Sequence, residues 1–164
     1  MLASRHAVKI AKKNRIPMVV PGGTREKNGV SANAVSETLG RLRSVTGLVS
    51  VCLVEPDSGH VLETLLGDAG PPGPPGERRV AIVAAGASDV VQVVRLMTAS
   101  LGEEDDVEDV IVTLGRHHHI VRALPDAGVD GLFVAMTLDR AQTNLALARR
   151  QLRAIDAALG SRAS

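Results

Sequence analysis

Three short strand-like runs between Val107 and Thr137 lead directly into one amphipathic helix that reaches Leu159, and this order restricts the fold more than any other feature of the chain. The runs Val107 to Leu114, His117 to Leu124 and Val129 to Thr137 are joined by Gly115-Arg116 and by Pro125-Asp126-Ala127-Gly128, so they form a three-strand meander. The helix is expected to open at Asp139, with Gln142 completing a capping box. Leu138, Ala141, Leu145, Ala148, Leu152, Ile155 and Leu159 then repeat at three- and four-residue spacing. Each such residue is worth roughly 1.5 to 3 kcal/mol when buried, and the preceding strands are the obvious surface to bury it.

The first half of the chain reads as a helix, a hairpin and a second helix. Ser31 is a candidate N-cap for a helix whose buried face carries Val35, Leu39, Leu42 and Val45, with Gly47 ending it. Residues 48–55 and 60–66 are apolar, β-branched runs around Pro56-Asp57-Ser58-Gly59, which reads as a hairpin. The Pro/Gly-rich segment 67–76 follows as a surface loop. From Glu77 to Leu101, Val80, Val83, Ala84, Ala87, Val90, Val91, Val94, Met97 and Leu101 keep helical spacing, which predicts one long helix. Gly86 and the valines leave open a strand over Val80 to Ala85 followed by a helix capped by Ser88. Val51 to Val54 and Leu132 to Ala135 are continuously apolar, so both faces of the sheet should be covered.

Charge divides the chain unevenly. Residues 1–30 hold seven Lys or Arg and one Glu, against 12 basic and 17 acidic residues in the remainder. The expected organisation is a basic, flexible N-terminal arm (1–30), a domain (31–160) and a short flexible tail (161–164). The arm reads first as a solvated extension, with docking on an acidic partner, anionic lipid or nucleic acid as alternatives. One Phe and no Trp or Tyr leave little for bases to stack on, so no specific nucleic-acid partner is expected. No unbroken apolar run approaches the roughly 20 residues of a membrane span, and no secretory core opens the chain. No transmembrane segment and a cytoplasmic location are therefore expected.

Few residues suggest chemistry. Cys52, the single cysteine, lies in an apolar run with no activating neighbour and reads as an inert thiol. Glu103, Glu104, Asp105 and Asp106 lack the alternation and turn glycine of a calcium loop and read as a solvated turn. His117, His118 and His119 alternate faces on a strand, so at most two converge, whereas structural zinc takes four ligands. Phosphate-loop, nucleophile-elbow and His-Glu-x-x-His patterns are missing. No catalytic residue, metal or cofactor is expected.

The order helix, two strands, helix, three strands, helix resembles the Roadblock (dynein light-chain) family over about 130 residues. The likeness rests on the strand after Gly47, the Asp57-Ser58-Gly59 turn, the long helix before Val107 to Leu114, and the last helix with Asn144-Leu145-Ala146-Leu147-Ala148-Arg149. It implies an α+β fold of the profilin/longin-like kind, an α/β/α sandwich in the order αββαβββα around a five-stranded antiparallel sheet. It also implies a homodimer built on the middle strand and long helix, with Val90, Val91, Val94, Leu101, Val107, Val110 and Val112 at the interface. The implied function is a non-catalytic regulator or scaffold of a small Ras-like GTPase. The alternatives are a small-molecule-binding sensory module and a metal-dependent enzyme using the histidines. The alanine-, valine- and arginine-rich composition suits a high-GC bacterium.

Overall fold

The structure is a computed structural model that describes residues 32–55, 58–70, 76–101, 107–127 and 131–163. The basic arm, the Ser31 cap, Pro56-Asp57, the centre of the Pro/Gly loop and the acidic group 103–106 lie outside the described residues. Eight elements follow one another: α1 (Ala32–Gly40), β1 (Leu48–Val54), β2 (Val61–Leu66), α2 (Gly76–Leu101), β3 (Asp109–Thr113), β4 (His117–Ala123), β5 (Phe133–Asp139) and α3 (Leu145–Ala163). This is the expected order αββαβββα.

All strand pairs are antiparallel, in the order β2-β1-β5-β4-β3. β1 and β5 lie side by side at the centre although they are far apart in sequence. Both are buried on two faces, which is why Val51 to Val54 and Leu132 to Ala135 show no alternation. Leu39, Leu42, Leu152, Ile155 and Leu159 from α1, its following turn and α3 cover one face, together with Val51, Leu53, Ile120, Val134 and Met136. α2 covers part of the other face, with Val80, Ala84 and Ala87 against Cys52, Val54, Val121, Phe133 and Ala135.

Four local readings change. The first helix tightens into a 3-10 turn at Arg41–Ser44, which still buries Leu42. Gly47 then adopts φ 79°, and a Cβ there would lie 2.5 Å from Thr143 Oγ1. The last helix begins at Leu145, not at Asp139. Asp139 stays in the ladder opposite His117, its N–H donates to Gly47 O (2.7 Å), and its carboxylate accepts from Ala141 N in a turn (2.8 Å). Leu138 consequently belongs to the strand core and Ala141 is exposed. Asn144 caps the helix, its Oδ1 accepting from Leu147 N at 3.1 Å. Asn144→Ala is expected to lower stability by about 1 kcal/mol, read as a shift of the urea midpoint at unchanged slope. At its other end α3 runs through Ala163, so residues 161–163 belong to the helix rather than to a tail. β5 begins at Phe133, with Gly131 in a turn, not at Val129.

α2 is one unbroken helix, and the strand-then-helix alternative is set aside. Gly86 faces open space, so its cost of about 1 kcal/mol relative to alanine is tolerated without a packing role. The expectation about membrane-length segments is corrected here. Within Arg78–Leu101 the mean hydropathy reaches 1.7, enough in length and composition for a span. Counting unbroken apolar runs missed it because Ser88, Asp89, Gln92 and Arg95 interrupt the run without lowering the average far. The inner stripe Val80, Ala84 and Ala87 packs on the sheet, yet only 22% of the apolar window is buried. Most of the apolar surface of this helix faces away from its own domain.

Candidate functional site

Most of the exposed large apolar side chains among the described residues lie on α2 and at the β3 end of the sheet. Ile82, Val93, Leu96, Met97 and Leu101 on α2 are exposed by 57–70%, and Val112 on β3 and Leu114 just beyond it by 38% and 47%. Among the described residues β3 pairs only with β4, and its other backbone edge has no strand beside it. Of the expected interface residues, Leu101 and Val112 are exposed, while Val90, Val94 and Val107 are half-buried. Val91 and Val110 pack partly against their own core. Ile82, Val93 and Leu96, exposed in the structure, were not among the expected residues. Their signal was present, because α2 carries more apolar positions than one stripe can hold, and Val93, Leu96, Met97 and Leu101 make a second stripe at helical spacing.

An open groove of about 310 Å³ runs between the second half of α2 and the sheet, lined by Val91, Arg95, Thr98, Val107, Val110 and Val121 among others. Aliphatic side chains share its walls with Arg95, Glu108 and Arg122.

On the opposite face a charged cluster fixes the edge strand. Asp109 accepts from Arg149 through Nε (2.9 Å) and Nη2 (3.2 Å), and from Arg122 Nη1 (3.3 Å). Glu108 accepts from Arg122 Nη1 (3.0 Å) and Arg153 Nε (2.8 Å). The hydrogen bonds from Arg122 and Arg153 hold the Glu108 carboxyl below its usual range. The stabilisation from that shift is complete above the ordinary carboxylate range and is lost as acid protonates Glu108. These carboxylates are occupied by guanidinium groups, so the cluster is a brace from β3 to β4 and α3.

The histidines alternate as expected. His118 shares a hydrogen bond with Thr113 Oγ1 (3.1 Å). On the other side His119 Nδ1 meets Thr137 Oγ1 at 3.0 Å, and the His117 and His119 rings are 6.3 Å apart. Burial, and then the neighbouring His117, push the His119 pKa down. Among the described residues no group of three or more His, Cys, Asp or Glu could hold a metal ion. Cys52 is buried, donates weakly to Ala135 O (3.6 Å), and has its pKa pushed up to about 12 by burial. That is the inert thiol expected.

No protein-family model matches the sequence, and no curated protein is similar to it. Solved structures do match. MglB of Myxococcus xanthus superposes with a TM-score of 0.64 at 13% identity, over 79% of this chain and 87% of that one. A Roadblock/LC7 domain from Streptomyces avermitilis gives 0.60 at 21% identity, over 74% and 89%. The chain has the Roadblock fold. The gliding protein MglB of Thermus thermophilus is similar as well, with a TM-score of 0.62, 17% identity, and coverage of 84% of this chain and 97% of that one. The eight elements described above account for the match, and the sandwich implied by the resemblance is the one observed. Within this Roadblock fold, Val91, Arg95 and Thr98 of α2 share the groove with Val107 and Val110 at the β3 edge.

Proposed function

We propose that this chain is a non-catalytic, homodimeric, cytoplasmic regulator or scaffold that binds a small Ras-like GTPase and modulates its GTP hydrolysis. The observation that carries the reading is the apolar second half of α2 beside the unpaired β3 edge, on a Roadblock fold. A second copy is the natural occupant, because a two-fold axis beside β3 pairs both free edges and buries both outer stripes at once. Leu96, Met97, Leu101 and Val112 form the centre of that interface. Val90, Val94 and Val107 flank it, and Val91 and Val110 support it from below. Dimerisation joins two five-stranded sheets into one continuous platform, leaving α1 and α3 on its other face.

The chemistry fits a regulator. The grouped carboxylates of β3 are paired with arginine, and the thiol is buried and protonated. The partner GTPase supplies the catalytic machinery, and the dimer acts by docking on it. A small-molecule sensor is the second reading, favoured by the groove along α2. That groove is open rather than enclosed, which counts against a ligand cavity.

The test uses a Ras-like GTPase encoded in the same gene neighbourhood, loaded with GTP. Single-turnover hydrolysis is followed with and without the full chain, alongside titrations of both nucleotide states. Saturable micromolar binding with a changed hydrolysis rate is expected for a regulator, and binding alone for a scaffold. Failure of both nucleotide states to bind at micromolar concentrations contradicts the proposal.

A further inference from the structure

α2 leaves one quarter of its sheet face less covered, with Val112 exposed and His117 and His119 half-buried. The helix lies across β1, β2 and β5, and its second half borders the groove at the Val107, Val110 and Val121 end of β3 and β4. The other end of those strands, next to the Leu114–Arg116 turn, carries Val112, His117 and His119. Register puts His119 between Val112 on β3 and Thr137 on β5, and His117 opposite Asp139. None of these residues belongs to the apolar cluster under α2.

A two-fold axis beside β3 reverses the strand. The second copy's Val107–Val110 end then lies beside this copy's Val112–Leu114 end, and the second half of its α2 is carried over the less covered quarter. We infer that the surface of Val112, His117 and His119 receives the second half of α2 from another copy of this chain, and that the two histidines make this contact acid-sensitive. The inference rests on the homodimer proposed above.

Neutral imidazoles tolerate apolar cover, whereas imidazolium ions lose hydration beneath it. The incoming helix brings Leu96, Met97 and Leu101, and Arg95 is its only charged residue between Val90 and Leu101. Among the described residues its nearest carboxylates are Asp89, just before this stretch, and Glu108, which Arg122 and Arg153 already hold. The other groups around the quarter are few. On this face β3 presents Val110 and Val112, without a titratable side chain. β5 contributes Asp139, whose Oδ1 already accepts from Ala141 N, and Arg116 and Arg140 stand at the adjoining rim. His119, held between Val112 and Thr137, is the main sensor. This copy's own α2 brings Arg95 only to the far groove.

The direction follows from linkage. His119 is already held below the ordinary imidazole value in one copy, and further burial in the dimer pushes it the same way. Dissociation then takes up protons. Affinity is full above the pKa of the separated copies and falls as pH drops through it, by up to about 100-fold per pH unit when each of two copies takes up one proton.

The test is sedimentation of the full chain over a dilution series at pH 7.5 and 5.5, with far-UV circular dichroism at both. We expect the dimer dissociation constant to rise at least about 10-fold at pH 5.5, with the helical signal retained. The double variant His117→Gln/His119→Gln should lose this pH dependence. His118→Gln, on the other face, should keep it. A pH-independent wild-type dimer, a double variant with the wild-type slope, or unfolding of all forms at pH 5.5 would each overturn the inference while leaving the dimer standing. A wild-type monomer at both pH values at about 100 μM would overturn the dimer itself, and this inference with it.

Discussion

Asp109→Ala will destabilise the domain by about 3 to 5 kcal/mol, among the largest effects available to a single substitution in this chain. The side chain of Asp109 is 9% exposed and accepts from two guanidinium groups, one of which, Arg122, is itself 8% exposed. Without the carboxylate, Arg122 keeps only Glu108, which is half in solvent, and its buried Nε already has no hydrogen-bond partner. A buried cation short of a counter-ion carries the desolvation cost that the pair had offset. Arg149→Ala removes a more exposed partner of the same carboxylate and should cost clearly less. Equilibrium urea unfolding of both variants at one protein concentration checks the order. Equal losses, or an Asp109 variant within about 0.5 kcal/mol of wild type, the scatter of a neutral surface change, would show that the brace is not what holds β3 in the sheet.

Leu96→Asp together with Leu101→Asp will raise the dimer dissociation constant by at least about 100-fold, equivalent to roughly 2.7 kcal/mol. Both leucines are about 70% exposed in the single copy, so the substitution removes little from its own core. In the proposed dimer each is buried twice over, once in each copy, and apolar burial is replaced by a carboxylate that must be desolvated. Light scattering over a concentration series reads the change in mass, and circular dichroism verifies that the fold persists. A variant that remains dimeric with wild-type affinity would move the interface away from α2.

The architecture was legible because strand and helix periodicities change at clear punctuation. Pro56-Asp57-Ser58-Gly59, Gly115-Arg116 and the turn at Pro125 separate the runs, and continuously apolar β1 and β5 announced a sheet covered on both sides. The corner after β5 was misread because Asp139, Gln142 and Asn144 are all acceptable near a helix start. Tertiary structure decides among them: Gly47 O captures the Asp139 N–H and Thr46 O accepts from Thr143 Oγ1, which holds the chain extended until Asn144. The brace was invisible because its members are spread from Glu108 to Arg153 and meet only after β3, β4 and α3 pack. The surface of α2 was half-read. Periodicity identifies a helix with apolar sides, but which stripe faces its own sheet depends on how the helix crosses that sheet.

The exposed stripe of α2 and the β3 edge, unpaired among the described residues, are the observations behind the proposed dimer. The most direct measurement is the mass of the complex formed with a neighbouring Ras-like GTPase loaded with a non-hydrolysable GTP analogue. Light scattering should find two copies of this chain in each GTPase-containing particle, and the Leu96→Asp/Leu101→Asp variant should fail to assemble it. A complex holding one copy, or no complex with the GTPase in either nucleotide state at micromolar concentrations, would contradict the account.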